Sequence, residues 1–156
     1  MKKNNIILAG SGYLGDNVIR LLSETNHDYF VTEISRSKKN RDANIRSIQH
    51  DIDNSISLDI DLVGSQIIYM APPDTSSAGD LRISKFINTI SKHKISRFIY
   101  ISTSGVYGNC HGKKVNELAP PNPITDRAKR RVDAESKIID LRRENNVEIL
   151  ILRVPG

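Results

Sequence analysis

The first segment that could do chemistry is a glycine-rich stretch near the amino terminus. It reads GSGYLG (residues 10–15), follows a short apolar run (residues 5–9) and precedes apolar residues at helical spacing. In this context Gly10 permits a tight turn, Gly12 lets the backbone approach a pyrophosphate, and Gly15 lets helix and strand pack closely. The unpaired N–H groups and the positive end of the helix would then meet the ligand's negative charge. The predicted cofactor contacts of this loop are Gly10, Gly12, Tyr13, Leu14 and Gly15.

The residues after the second predicted strand bear on which dinucleotide is bound. Dinucleotide-binding folds commonly place a carboxylate about 20 residues past the last glycine, where it holds the ribose 2′-hydroxyl. Counting from Gly15 reaches Ser35, and Arg36 follows directly, so no carboxylate stands at this position. An arginine there favours a 2′-phosphate, which predicts NADP with Ser35 and Arg36 as contacts. Glu33 keeps NAD as the alternative if the strand ends earlier.

Apolar runs and helical stripes alternate along the chain. The predicted strands lie near residues 5–9, 29–34, 45–50, 66–70, 97–103 and 147–154. The predicted helices cover residues 14–25, 79–93 and 125–145, and residues 36–46 and 104–123 are predicted loops. Strands that alternate with helices imply a mostly parallel sheet with right-handed crossovers. The predicted fold class is therefore a doubly wound α/β domain.

Length and composition exclude several classes of protein. A chain of 156 residues favours one domain, and 38% hydrophobic with 26% charged residues indicates a globular protein. The single cysteine, Cys110, excludes an intrachain disulfide, and no apolar run is long enough to cross a bilayer. We therefore expect a cytoplasmic protein without a membrane partner. The net charge of +5 would suit nucleic acid, but stacking aromatic residues and nucleic-acid motifs are missing. The histidines lack ligand spacing, so no metal site is predicted.

The order of these motifs resembles that of the NAD-dependent epimerase/dehydratase family, the extended and atypical short-chain dehydrogenases/reductases. The motifs are GSGYLG (10–15), Asp51 after the third predicted strand, MAPP (70–73), RFIYISTSGVYG (97–108) and LRVPG (152–156). The resemblance implies a Rossmann fold in which Asp51 and Ile52 flank the adenine and Ala71 and Pro72 line the cofactor ribose. It also implies oxidoreductase, epimerase or dehydratase activity on a small carbonyl or sugar-nucleotide-like substrate.

The resemblance also identifies candidate catalytic residues. Members of the family use a Ser/Thr, a Tyr and a Lys, and the positions that match them here are Thr103, Arg127 and Arg131. Arg127 stays protonated and cannot act as a general acid or base, whereas Arg131 can still donate hydrogen bonds to a ribose. Tyr107 either substitutes as the acid or packs under its loop. Two functions therefore stay open: a variant enzyme of the atypical subgroup, or a non-catalytic NADP(H)-binding, redox-sensing module.

The length of the chain carries one further expectation from the resemblance. In the family, the polypeptide continues beyond the sixth strand into a seventh strand and a smaller substrate domain. We therefore expect residues 1–156 to form the NAD(P)-binding Rossmann domain, truncated after the sixth strand and without the C-terminal substrate domain. Such a sheet exposes an apolar flank near residues 147–154, which either the missing segment or a second copy of the chain, in a homo-oligomer, would cover.

Overall fold

A sheet of six parallel strands forms the centre of the molecule. The computed structural model describes residues 4–25, 29–54 and 60–155, so that Gly156 of the LRVPG motif lies outside the described residues. The strands are β1 (Asn4–Ala9), β2 (Tyr29–Ser35), β3 (Ile45–Gln49), β4 (Gln66–Tyr69), β5 (Arg97–Thr103) and β6 (Glu148–Val154). Their order is β3-β2-β1-β4-β5-β6, and each neighbouring pair is parallel. The order reverses between β1 and β4, which confirms the predicted doubly wound Rossmann fold.

Three α-helices among the described residues connect the strands, each within three residues of its predicted bounds. They are α1 (Tyr13–Ser23), α2 (Leu81–Ile90) and α3 (Asp126–Asn145). The side chain of Asp80 caps α2 by accepting from the backbone N–H groups of Arg82 and Ile83. Thr125 caps α3 in the same way through the N–H of Ala128. These caps satisfy helix N–H groups that would otherwise lack partners. None of the described helices is long and apolar enough to cross a membrane.

A short 3-10 helix, Ser104–Tyr107, opens the segment that the sequence predicts as a loop. It forms because the Thr103 hydroxyl oxygen accepts a hydrogen bond from the N–H of Gly105, at 3.2 Å. Hydrophobic periodicity could not predict this 3-10 helix, because a single turn is too short to show a repeat. The turn places Tyr107 directly after the carboxyl end of β5.

The two faces of the sheet are covered unequally. Helices α2 and α3 pack on one face, over a large core that includes Ile67, Tyr69, Phe86, Phe98 and Tyr100. Helix α1 packs on the other face, against a smaller cluster formed by Ile6, Leu8, Ile19 and Val31. On β6, alternate side chains of the apolar run therefore remain exposed on the side away from α2 and α3.

Candidate functional site

A cleft of about 470 Å³ opens at the carboxyl ends of β1 to β4, where the strand order reverses. In open α/β sheets this is the place where ligands bind. Its lining includes the predicted cofactor contacts Gly10, Gly12, Ser35, Arg36, Asp51, Ile52, Ala71 and Pro72. It also includes Ser11, His50, Pro73, Thr75 and Arg82, which the sequence reasoning did not identify. Of the other predicted contacts, Tyr13, Leu14 and Gly15 lie in the first turn of α1, and Arg131 lies on α3.

The glycine loop closes one end of this cleft. Gly10 has a φ of 78°, and a Cβ atom there would lie 2.6 Å from the backbone nitrogen of Ala71. Only glycine fits that combination of left-handed backbone and close approach. A Cβ atom on Gly12 would meet nothing within 4 Å, so this residue faces open space. A Cβ atom on Gly15 would collide with the side chain of Ser11, and the loop therefore packs closely onto α1.

The amino terminus of α1 has no side-chain cap, in contrast to the other two helices. Its N-cap residue is Gly12, which has no polar side chain to accept a hydrogen bond. The backbone N–H groups of Tyr13 and Leu14 consequently remain available to a ligand. Tyr13 is 87% exposed. An anionic group is favoured at this end of the helix dipole. The arrangement fits a pyrophosphate.

Glu33 is buried in β2 and is fully engaged by neighbouring residues. One carboxylate oxygen accepts from the Ser11 hydroxyl at 3.0 Å and from Arg41 Nη2 at 2.9 Å, and the other accepts from Arg41 Nε at 2.7 Å. Burial opposes ionisation, but the hydrogen bonds from Arg41 and Ser11 outweigh it and lower the pKa of Glu33. Strand β2 continues to Ser35, so it does not end early enough to bring Glu33 to its carboxyl end.

The basic residues that follow β2 divide into two groups. Lys39 Nζ lies 2.8 Å from a carboxylate oxygen of Asp16 on α1, and the same oxygen contacts Arg41. These hydrogen bonds from Lys39 and Arg41 lower the pKa of Asp16. Both cations are thus neutralised by carboxylates of the chain. Arg36 differs, because it lines the cleft and its guanidinium makes no hydrogen bond or ion pair within the described ranges.

The four predicted catalytic residues occupy different environments. Thr103 ends β5, and its hydroxyl oxygen caps the following turn. Tyr107 accepts a hydrogen bond from Arg153 Nη1 at 2.9 Å, and the Arg153 guanidinium also lies 4.9 Å from the Tyr107 ring centroid. Arg127 is exposed in the first turn of α3. Arg131, one turn further along the same helix, is only 6% exposed.

Arg131 is anchored in the core below the carboxyl end of β5. Its Nη1 donates to the Tyr100 hydroxyl at 2.9 Å and to the carbonyl oxygen of Ile101 at 2.8 Å. Burial raises the pKa of Tyr100 to about 12, although the adjacent Arg131 opposes this. The Arg131 Nε–H is buried and has no partner among the described residues. Arg131 therefore keeps part of its donor capacity while its position is fixed.

Two further polar residues near this end of the sheet were not identified from the sequence. Glu135 on α3 is 3% exposed and accepts from Arg153 Nη2 at 2.8 Å and from the Ser102 hydroxyl. The hydrogen bond to Glu135 raises the pKa of Arg153. The available signal was a carboxylate inside the apolar stripe of α3, which must find a cationic partner when it is buried. Within the described residues, no group of three or more His, Cys, Asp or Glu side chains is placed to hold a metal ion.

Comparisons with known proteins agree with this fold. The model of the NAD dependent epimerase/dehydratase family matches residues 6–155. A curated protein of Arabidopsis thaliana, probable UDP-arabinose 4-epimerase 3, is 30% identical over 67 residues, which are 43% of this chain and 16% of that protein.

Solved structures match over almost the whole chain. UDP-glucuronic acid 4-epimerase from Bacillus cereus, in complex with NAD, has a TM-score of 0.77 at 20% identity, covering 97% of this chain and 56% of its own. dTDP-glucose 4,6-dehydratase from Bacillus anthracis, also in complex with NAD, has a TM-score of 0.76 at 15% identity, covering 96% and 53%. At these identities the likeness shows the fold. The chain spans about half the length of these structures and a smaller share of the curated relative.

Proposed function

Because this chain belongs to the NAD-dependent epimerase/dehydratase family, we propose that its cleft binds NADP and serves oxidoreductase, epimerase or dehydratase chemistry. A nicotinamide cofactor is supported by the uncapped amino terminus of α1 and by the open space at Gly12. The solved relatives named above are complexes with NAD. When bound, the nicotinamide supplies hydride transfer.

The hydrogen bonds that Glu33 accepts are the observation that favours NADP over NAD as the cofactor. A ribose 2′-hydroxyl is held best by a carboxylate with a free oxygen. Both oxygens of Glu33 already accept hydrogen bonds from Ser11 and Arg41, and the side chain is completely buried. The cleft offers instead the guanidinium of Arg36, which has no partner among the described residues, beside the Ser35 hydroxyl. A guanidinium pairs well with a 2′-phosphate and poorly with a hydroxyl.

The chemistry is proposed for the whole protein, in which residues 1–156 supply the NAD(P)-binding Rossmann domain. The substrate is a sugar-nucleotide-like or small carbonyl compound, and the UDP-sugars named for the relatives support the first of these. Thr103 hydrogen-bonds the substrate oxygen, and Arg131 uses its remaining donors for the nicotinamide ribose. Arg127, which is exposed at the rim, contributes positive charge. Tyr107 is the proposed proton donor, because its oxygen accepts from Arg153 and its proton stays free to be donated.

Calorimetric titration with NADPH and with NADH tests the cofactor proposal. Wild type should bind both, NADPH more tightly. Arg36→Ala should weaken NADPH by about 1–3 kcal/mol, the range of a charge-assisted hydrogen bond, and leave NADH nearly unchanged. Arg46→Ala is the matched control, since Arg46 is exposed on the neighbouring strand β3 and does not line the cleft. Equal affinities for the two dinucleotides would overturn NADP, and no binding of either would overturn the cofactor site.

A further inference from the structure

One arginine, Arg82 in the first turn of α2, links two loops that come from different strands. Its Nε and Nη2 donate to the two carboxylate oxygens of Asp53, at 2.5 and 2.6 Å. Its Nη1 donates to the carbonyl oxygen of Pro72, at 2.6 Å. The guanidinium thus spans from the loop after β3 to the loop after β4. Both contacts use the fixed fork of the arginine, a geometry that a lysine cannot reproduce.

The two linked loops each contribute a wall to the cleft. Asp53 directly follows Asp51 and Ile52, whereas Pro72 itself lines the cleft. Asp51 supports its own loop, because its carboxylate accepts from the N–H of Asp53 at 3.1 Å. Arg82 also lines the cleft. Arg82 therefore links the two walls at this end of the cleft through three hydrogen bonds.

The charge of Arg82 is already matched within the chain. Hydrogen bonds from Arg82 lower the pKa of Asp53, so the pair is ionised at neutral pH. Lys85, one turn later on α2, adds a hydrogen bond from Nζ to the carbonyl oxygen of Asp53 at 2.9 Å. Arg82 thus differs from Arg36, whose guanidinium has no carboxylate partner in the described part of the chain. The guanidinium of Arg36 can therefore contact an anionic ligand directly, whereas that of Arg82 holds the loops after β3 and β4 together.

We propose that Arg82 is a positioning residue for the adenosine half of the dinucleotide, fixing the spacing between the Asp51–Asp53 loop and Pro72. The inference rests on the proposed function, since it presumes that a dinucleotide occupies the cleft. It adds that affinity for every ligand with an adenosine group depends on Arg82, whether or not the ligand carries a 2′-phosphate. Selectivity between NADPH and NADH depends on Arg36 instead.

The test compares Arg82→Met and Arg82→Lys with wild type, by calorimetric titration of NADPH, NADH and 2′,5′-ADP. Both variants should weaken all three ligands by about tenfold, the cost of roughly one lost charge-assisted hydrogen bond, and keep the ratio of NADPH to NADH affinity. Arg97→Met is the matched control. Arg97 forms an analogous pair with Glu148, at 2.9 and 2.8 Å, at the amino end of β5 and far from the cleft. It should leave all three affinities unchanged.

A milder variant and a second measurement keep the test decisive. Asp53→Asn should weaken the same ligands, and the double variant Arg82→Met/Asp53→Asn should lose less than the sum of the two single losses, because both residues act through one contact. A lower Tm with unchanged affinities would overturn the inference, as would full rescue by Arg82→Lys or a loss confined to NADPH. If wild type binds neither dinucleotide, the proposed function fails first. If wild type binds and the Arg82 variants bind equally well, only the inference fails.

Discussion

The guanidinium of Arg41 donates to both carboxylate oxygens of Glu33, eight residues earlier, at 2.7 and 2.9 Å, and the Glu33 side chain is completely buried. Because Ser11 donates to the same carboxylate, the loop after β2 is linked to the glycine loop. Asp16 on α1 extends this cluster through Lys39 and Arg41. A carboxylate near the end of β2 thereby accepts hydrogen bonds at both of its oxygens from within the protein.

Removal of the Glu33 charge should destabilise the fold. Glu33→Gln leaves the largely buried Arg41 guanidinium without its main counter-ion, which should lower the free energy of unfolding by about 3 kcal/mol. Urea unfolding followed by circular dichroism measures this. Glu24→Gln, in the exposed pair with Arg20 on α1, is the control and should change the free energy by no more than about 0.5 kcal/mol. Equal effects of the two substitutions would show that the buried pair contributes no more than a surface pair.

The same cluster should make stability depend on acid pH. The folded-state pKa of Glu33 is lower than its ordinary value of 4.5, so its contribution is fully present above that value. It is lost as the pH falls through the lower folded-state pKa, because the unfolded chain then binds the proton more readily. Urea unfolding between neutral pH and pH 3 should show a steeper loss for wild type than for Glu33→Gln. If the free energy of unfolding fell equally with pH in both proteins, the lowered pKa of Glu33 would be contradicted.

Arg131 should matter for stability where Arg127 does not. Arg131→Lys keeps the charge but loses the two hydrogen bonds from Nη1 to Tyr100 and Ile101, and should cost about 2 kcal/mol. Arg127→Lys, one turn earlier on α3, changes an exposed side chain and should have almost no effect on unfolding. Thermal and urea unfolding of the two variants make a matched comparison. A stable Arg131→Lys protein would indicate that the guanidinium is not held as tightly as its contacts suggest.

Local pattern was enough to predict the strands and α-helices, since each of them carries its own signal, whereas the 3-10 helix Ser104–Tyr107 does not. The bounds of β5, for example, follow from an apolar run between polar turn residues. Ser35 and Arg36 were identified because the strand–loop–helix spacing fixes where β2 ends relative to the glycines. The hydrogen-bond partners of Glu33 and Arg82 could not be predicted in this way. Their partners approach only after the loops fold, and in the case of Arg82 the partner Asp53 is 29 residues away.

The contacts of Arg131, on α3, also could not be predicted from local sequence pattern. The resemblance matches it to the lysine of the family and implies that it donates hydrogen bonds to a ribose. Helical spacing alone cannot say which buried groups such a side chain contacts. The packing of α3 on the large core decides this, because the Tyr100 hydroxyl needs a partner below the end of β5. Burial of a polar group therefore depends on the tertiary contacts of its helix.

Cofactor binding should raise the thermal stability of the chain. A ligand that binds only the folded state stabilises it by mass action, by about 2.7 kcal/mol when its concentration is 100 times the Kd. A thermal scan with increasing NADPH should show a rising Tm, and NADH at the same concentration should give a smaller shift. Arg36→Ala should reduce the shift with NADPH to that seen with NADH. A Tm that is independent of both dinucleotides would contradict binding to the folded chain.

The exposed face of β6 should cause the chain to self-associate. Leu150, Leu152 and Val154 are 44%, 39% and 41% exposed, and they form a continuous apolar stripe because they alternate along one strand. The edge of β6 away from β5 has no partner strand among the described residues, so its backbone groups are open to a second chain. Light scattering should therefore give a mass above that of one chain, which the double variant Leu150→Glu/Leu152→Glu should reduce. Leu21→Glu is the control, since Leu21 is 55% exposed on α1 and should leave the mass unchanged. A monodisperse wild-type monomer would show that the stripe is too small to hold two copies together.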